Sequence, residues 1–573
     1  MKQKMNSYCC KPDAAFPEHW LWRVFDLPDE TDAAAVTGPV GDELVLDGVR
    51  ISGQPLSFPP SGQTVLKEYF RRTGQLILLV CDFTEEAAGS CVIGVSADWN
   101  LILKLNGEEV CSTWRVGSGE HTIEPDDHIA EIHYRAGKNQ LTMLIRFGLT
   151  ARVAASLMKN EHPKLRYAPW CTFPDSETGA FTVIFSTFHP CPAGLDYRKK
   201  GSAEWLRVYD NQGGQIRRDQ AIHHIRLTDL EPDTEYEYRA VLLDELKRWE
   251  EIPDPEIYSV RTLPADSREF RFNFTADLQA PAKVPALAEQ MSRIPADFSV
   301  FAGDPVWTSD FDPAYLENAY LPLAKKFADR PLVAVRGNHE MYGKDTSRFF
   351  EYFTPPPELG VEGYYAFRCG DAFFFALDFC DDDGRCPWPS TRALHDIDPY
   401  LEREARWLKN VIRQPACRDA RWRIVLAHGV PAGDFKSYLP DHIRKVIEPV
   451  FGGSSPECRI HLWLGGHIHY AVRSIPGKNQ LRTTVDPELR YAGNERGADI
   501  SCWHFPVCAV SGPSRLNPPS LVNSFFSVAV KPDRIEVDSY DIEGKRYDRF
   551  AVSSSGEILE EQPSESFRLY TLS

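Results

Sequence analysis

The stretch VRGNHE, Val335 to Glu340, ends the apolar run Pro331-Leu-Val-Ala-Val335 and puts an amide, an imidazole and a carboxylate side by side where a buried strand stops. Taken alone, Asn and Gly are turn residues: both tolerate positive φ, and Asn can bond its own backbone, so GNHE reads equally as a polar loop. The same event recurs four more times. Arg268-Glu-Phe-Arg-Phe-Asn-Phe274 alternates like a strand and runs into Thr275-Ala-Asp-Leu-Gln279. Asp297-Phe-Ser-Val-Phe-Ala302 runs into Gly303-Asp-Pro-Val-Trp307, Trp422-Arg-Ile-Val-Leu-Ala427 ends at His428, and Ile460-His-Leu-Trp-Leu464 ends at Gly465-Gly-His-Ile-His469. In an open α/β sheet, ligands bind outside the carboxyl ends of the strands, so residues far apart in the chain can meet there.

Asp277, Gln279, Asp304, Asn338, His428, His467 and His469 offer oxygen and imidazole nitrogen and no thiolate, a set suited to Mn, Fe, Zn or Mg rather than to a structural thiolate zinc site. Seven donors are too many for one tetrahedral ion. They suit two ions that share a carboxylate, roughly 3.5–4 Å apart as in two-metal hydrolytic sites. Phosphoryl ester hydrolysis is the reaction class that uses this arrangement most, the metals clamping the attacking and leaving oxygens.

The order Asp-x-Gln, Gly-Asp-x-x, Gly-Asn-His-Glu, His, Gly-His-x-His resembles the calcineurin-like metallophosphoesterase superfamily, and the flanks, with Tyr364-Tyr-Ala-Phe-Arg-Cys-Gly-Asp-Ala-Phe-Phe-Phe-Ala-Leu-Asp378, look most like its purple-acid-phosphatase-like branch. The resemblance covers about Phe270 to Val530. It implies a four-layer α/β/β/α sandwich with one metal on Asp277, Gln279, Asp304 and His469 and a second on Asp304, Asn338, His428 and His467, with Asp304 bridging. It further implies that a metal-bound hydroxide is the nucleophile and that His339 contacts the phosphate or protonates the leaving oxygen. Phosphate monoesters and diesters both remain open as substrates. The chain departs from the branch at Trp307, which stands where purple enzymes have a tyrosinate ligand to iron and has only an N–H donor, so no purple colour is expected. It departs again at Gln279, a neutral amide where many members have His. A degenerate site that binds phosphate or carbohydrate without turnover is the alternative reading.

The 573 residues allow three or four domains, and 43% hydrophobic with 25% charged residues is an ordinary globular mix. A net charge of −18 disfavours nonspecific binding to nucleic-acid phosphates, and the apolar run Leu76–Cys81 is far short of the ~20 residues of a membrane span. Neither a nucleic-acid duplex nor a membrane is therefore expected as partner. Residues 1–19 read as a leader with a basic start and no apolar h-region, cytoplasmic as written and exported if a leader was removed. Of the fourteen Cys, Cys81, Cys91, Cys369 and Cys508 lie in apolar runs and read as small buried hydrophobes; Cys380 and Cys386 could pair or stay free.

Residues 20–164 read as a β-rich unit: Asn106-Gly107 is a hairpin turn between strand-like runs, and Asp98-Trp-Asn-Leu-Ile-Leu-Lys-Leu-Asn-Gly-Glu-Glu-Val110 with Gly137-Lys-Asn-Gln-Leu141 resembles galactose-binding-like jelly rolls. Trp99, Trp114 and His121 could line a glycan site, though such aromatics more often fill a core. In residues 165–264, short β-rich runs separated by turns suggest a sandwich. There Leu227-Thr-Asp-Leu-Glu-Pro-Asp-Thr-Glu-Tyr-Glu-Tyr238 looks like the corner of fibronectin type III domains, a unit that precedes the catalytic domain in purple-acid-phosphatase-like enzymes and is read as a spacer. Residues 265–573 are read as the catalytic unit. In it Phe525–Val530 and Arg534–Asp538 are expected as a carboxyl-terminal hairpin, and Phe379–Tyr400 as an insertion walling the substrate pocket.

Overall fold

The computed structural model describes residues 12–572 except 15, 34–35, 37–38, 116, 118–122, 159–161, 248, 267, 280, 308–310, 343–344, 379–395, 432–442, 454, 486–498 and 514–520. His121, Cys380, Cys386, the start of the 1–19 segment and most of the expected pocket insertion lie outside the described residues.

All five motif runs are strands, Phe270–Thr275, Phe298–Ala302, Leu332–Val335, Trp422–Ala427 and Leu462–Gly465. They do not share one sheet. The first three pair in parallel, Phe274 opposite Val300 and Val300 opposite Val333, in a seven-stranded sheet that continues antiparallel through Ser524–Val530, Ile535–Asp541, Arg546–Val552 and Ile558–Glu561. The last two pair in parallel with each other and with Ala372–Leu377 and Val507–Ala509 in a nine-stranded sheet. Two facing sheets agree with the expected α/β/β/α sandwich. Each parallel strand is buried on both sides, because one face of each sheet meets the other sheet and the outer face meets helices.

The shared inner layer is aromatic. Phe272 stacks on Phe298 at 5.0 Å, and Phe374 of the facing sheet meets Phe298 edge-on at 5.4 Å; each fully buried Phe is worth roughly 1.5–3 kcal/mol by transfer. On the outer face of the seven-stranded sheet, Asn273 Nδ2 donates to the carbonyl of Met291 in the Val284–Ser292 helix at 3.1 Å. The outer face of the nine-stranded sheet, with Phe373, Phe375, Val425 and Trp463, shares a core with Leu401 and Leu408 of the Ile397–Val411 helix. The expected carboxyl-terminal hairpin forms, with Val530 opposite Ile535, but it is only part of a longer excursion. The chain adds two further strands and then returns Arg568–Thr571 to the edge of the other sheet against Gln480–Thr483.

The region before these two sheets is β-rich and divides into two sandwiches. A five-stranded and a six-stranded sheet enclose a core of Trp22, Leu79, Ile93, Leu103, Met143 and Ile145. Asn106 and Gly107 both adopt positive φ in the turn between Asn100–Leu105 and Glu108–Ser112, as a tight hairpin requires. From Leu165 to Arg261 a three-stranded and a five-stranded sheet enclose Phe181, Val183, Leu195 and Tyr238. This second sandwich is joined to the catalytic domain by a shared core. Trp170 stacks on Tyr352 at 6.2 Å and Phe173 meets Tyr365 at 5.1 Å. Polar ties surround them: Tyr167 Oη donates to Glu317 at 2.7 Å, Arg226 pairs with Glu358 at 3.0 Å, and Asp175 accepts from the Arg368 amide at 2.9 Å.

Candidate metal centre

The carboxyl ends of the five motif strands turn toward one another between the two sheets, and all seven donors named from sequence meet there. His428 Nε2 lies 3.1 Å from Asp304 Oδ2 and 3.1 Å from Asn338 Oδ1. His467 Nδ1 lies 3.0 Å from the same Asn338 oxygen, and His469 Nε2 lies 3.4 Å from Asp277 Oδ1. Gln279 Nε2 donates to Asp304 Oδ2 at 3.0 Å. One donor atom each from Asp277, Asp304 and His469 falls within 4.8 Å of the others.

The backbone reaches this geometry at a cost. Asp277, Asp304, His467 and His469 all have left-handed backbones, with φ of 53°, 57°, 71° and 62°. Such a conformation costs a non-glycine residue of order 1–3 kcal/mol and persists only where the surroundings over-determine it, typically at functional sites. Close glycines make the room: a Cβ on Gly337 would stand 2.3 Å from Asp304 Oδ1, and one on Gly466 2.1 Å from Asp277 Oδ2.

Several of the donors are held in place by backbone groups and neighbouring side chains. His428 Nδ1 donates to the Ala302 carbonyl at 2.7 Å, which aims Nε2 into the site in the manner usual for metal-binding histidines. Asp277 Oδ2 accepts from the His467 amide at 2.8 Å, and the Asp277 carbonyl accepts from Asn523 Nδ2 at 2.8 Å. Glu340 has the widest reach. Its carboxylate accepts from the amides of Asp304 and Gly337, each at 3.1 Å, and so ties two motif turns together. Sequence reasoning quoted Glu340 and gave it no task; its place three residues after Gly337 is the only local signal. Asn523 had none, since it simply precedes a strand. Arg336, just before GNHE, was also passed over: its Nε donates to Asp378 Oδ2 at 2.9 Å, joining the end of a strand in one sheet to the end of a strand in the other.

The electrostatics ask for a cation. Asp277 and Asp304 are 0% and 1% exposed, and burying two carboxylates together is costly unless positive charge compensates. At His428, burial is outweighed by the carboxylates of Asp304, Asp277 and Glu340, which push the imidazole up to about 10. Against its own burial, Asp304 is held well below the usual carboxylate range by His428 and His339. Burial pushes Asp277 up to about 7 and Glu340 up to about 8. Two buried oxygens, Asp277 Oδ1 and Gln279 Oε1, accept no hydrogen bond among the described residues. Orphaned acceptors, an oxygen and nitrogen donor set and buried charge together fit divalent cations.

His339 stands at the rim. Its Nδ1 lies 2.6 Å from the Trp307 carbonyl, to which it donates, and its Nε2 lies 3.7 Å from Asp304 Oδ2. It is not positioned among the donors as His428 and His467 are, although its amide donates to Asp304 Oδ1 at 2.9 Å.

Compared with known proteins, residues 270–471 match the calcineurin-like phosphoesterase family. No curated protein matches the chain at a significant level. Among solved structures, the chain is similar to a purple acid phosphatase from yellow lupin (Lupinus luteus) seeds, at 14% identity over 84% of this chain and 93% of that one, with a TM-score of 0.46. It is also similar to a PhoD structure, at 12% identity over 70% and 92% with a TM-score of 0.43, and to a dimetal phosphatase from Danio rerio, at 13% identity over 50% and 99% with a TM-score of 0.35.

Proposed function

We propose that this chain, whose residues 270–471 are a calcineurin-like phosphoesterase domain and which is therefore a phosphoric ester hydrolase, cleaves phosphate mono- or diesters at a centre of two divalent ions. The observation that carries the reading is the convergence of seven oxygen and nitrogen donors from five strand ends around two buried carboxylates, where, among the described residues, Asp277 Oδ1 and Gln279 Oε1 accept no hydrogen bond. Asp277, Gln279, Asp304 and His469 would hold one ion and Asp304, Asn338, His428 and His467 the other, drawn from Mn, Fe, Zn or Mg. When bound, such ions acidify water toward neutral pH and neutralise phosphoryl charge.

The protein's own residues do the rest. Asp304 is central, within 3.1 Å of His428 and 3.0 Å of Gln279, as a shared donor must be. Among the described residues the carbonyl oxygen of Gln279 accepts no hydrogen bond, which supports a role for it despite its weaker donor strength, its amide nitrogen being committed to Asp304. His339, fixed through Nδ1 on the Trp307 carbonyl, keeps Nε2 toward the site, where a protonated imidazole can hold a phosphoryl oxygen or give its proton to the departing alkoxide. Trp307 carries no phenolate, so the loaded enzyme is not expected to be purple.

The first sandwich is read as a galactose-binding-like jelly roll and the second as a fibronectin type III-like spacer. In the second, the Glu231 amide donates to Tyr236 Oη at 3.1 Å, the kind of tyrosine corner such sandwiches carry. The core it shares with the catalytic domain favours scaffolding. In the first, the Arg146 guanidinium lies 4.2 Å from the Trp114 ring and 5.8 Å from Trp99, so both tryptophans already have a partner and glycan binding is the weaker reading; a glycan array tests it.

The deciding experiment is metal analysis of purified protein coupled to paired assays on a phosphomonoester and a phosphodiester chromogen. Two ions per chain with metal-dependent turnover of either ester supports the reading. Phosphate binding without turnover of any ester would instead support the degenerate site.

A further inference from the structure

Trp307 is the one tryptophan among the described residues of the catalytic domain that is exposed, at 49%, whereas Trp422, Trp463 and Trp503 are buried. It is not a loose surface side chain. Its ring meets the His339 ring at 5.3 Å and 82° and the His469 ring at 5.5 Å and 71°, both edge to face. Its carbonyl is held by His339 Nδ1 at 2.6 Å. Two ring contacts and one hydrogen bond thus fix an indole over the rim of the centre while half of it stays in water. An indole left half in water forgoes part of its burial energy, so its place here asks for a partner that comes and goes.

The position says which part of a substrate it meets. His469 belongs to the donors that place the phosphoryl group, and His339 is the residue set to serve the leaving oxygen. A ring that touches both sits beside the bond that breaks, on the side of the alcohol. We infer that Trp307 is a specificity-determining residue that receives a planar, apolar or aromatic group on the alcohol portion of the phosphoester, so that the preferred substrates are ring-bearing rather than short alkyl esters. The inference rests on the phosphoesterase reading above and deepens it. Because the indole is already fixed, stacking costs little ordering entropy, and an aromatic pair is worth about 0.5–1.5 kcal/mol beyond area burial.

Non-hydrolysable phosphonates test this apart from leaving-group chemistry. With full-length, Mn-loaded protein, calorimetric titration of phenylphosphonate and methylphosphonate gives two Kd values whose ratio reports the ring alone. The wild type is expected to bind phenylphosphonate about 5- to 10-fold more tightly. Trp307→Ala should bring the ratio to within about 2-fold with metal content retained, and Trp307→Phe should keep most of the preference. An unchanged ratio in Trp307→Ala, or equal weakening of both ligands with loss of metal, overturns the inference. Hydrolysis of p-nitrophenyl phosphate by the wild type is measured alongside: turnover without a phenyl preference sinks only the role of Trp307, whereas no turnover and no phosphonate binding sinks the phosphoesterase reading itself.

Discussion

Two histidines of the nine-stranded sheet, one just before the Leu462–Gly465 strand and one just after the neighbouring Trp422–Ala427 strand, live in opposite electrostatic worlds. At the amino end of the first strand His461, 2% exposed, has both ring nitrogens bonded to backbone: Nδ1 accepts from the Arg423 amide at 3.0 Å, and Nε2 donates to the Ser554 carbonyl at 3.2 Å. Burial and the neighbouring Arg423 push it down to about 4, so it stays neutral. At the carboxyl ends of the same sheet, His428 faces Asp304 and Asp277 and is pushed the other way, up to about 10. Residue type is the same, and the partners differ. His461 has backbone partners on both nitrogens, whereas His428 has a backbone partner on one nitrogen and carboxylates facing the other.

The strongest way to break this contrast is to remove the carboxylate at its centre. Asp304→Ala should abolish binding of both ions and reduce turnover by more than about 10³-fold, read by elemental analysis and ester assay together. If that variant keeps two tightly held metals, the carboxyl ends are not the site described.

A smaller loss is expected at the rim. His339→Ala should lower turnover by about 10²–10⁴-fold, the range of general acid help, with metal content retained, and the loss should shrink for a nitrophenolate leaving group, which needs little protonation. A fall in metal content would instead count His339 among the proposed metal donors.

Arg336 separates a buried polar group that supports the site from one that binds metal. It donates to Asp378, whose other neighbour Tyr400 Oη donates to the same oxygen at 2.5 Å. Arg336→Met would leave the Asp378 charge buried and uncompensated, costing about 3–5 kcal/mol of stability by denaturant unfolding. Near-wild-type stability would mean that the two sheets need no such tie at their carboxyl ends.

The smallest effect belongs to the amino end. A histidine whose folded value, about 4, lies below its ordinary 6.5 contributes stability that is fully present above pH 6.5 and is lost as pH falls toward 4. His461→Gln should therefore flatten the fall in stability between pH 6.5 and 4 by about 1–3 kcal/mol, without changing metal content at pH 7. Equal slopes in variant and wild type would show that the imidazole is not buried neutral.

By itself the sequence determined five strands and the polar residues at which each of them stops. Phe298–Ala302 and Trp422–Ala427 are apolar runs of 5 and 6 residues bounded by polar turn residues, a length usual for a buried strand and short for a helix. The seven donor types were legible for the same reason: Asp, Asn and His at a strand end are visible without any knowledge of pairing. Only the tertiary structure decided that three of the strands lie in one sheet and two in the other, because apolar runs carry no label for the partner they pair with. Only it could show Glu340 bridging the Asp304 and Gly337 amides, Arg336 reaching Asp378, or the indole of Trp307 resting between His339 and His469. Each of these depends on distances between segments that are remote in the chain or turned by a left-handed backbone. Local propensity specifies where a strand stops; the direction its last side chain points is set by what packs around the turn.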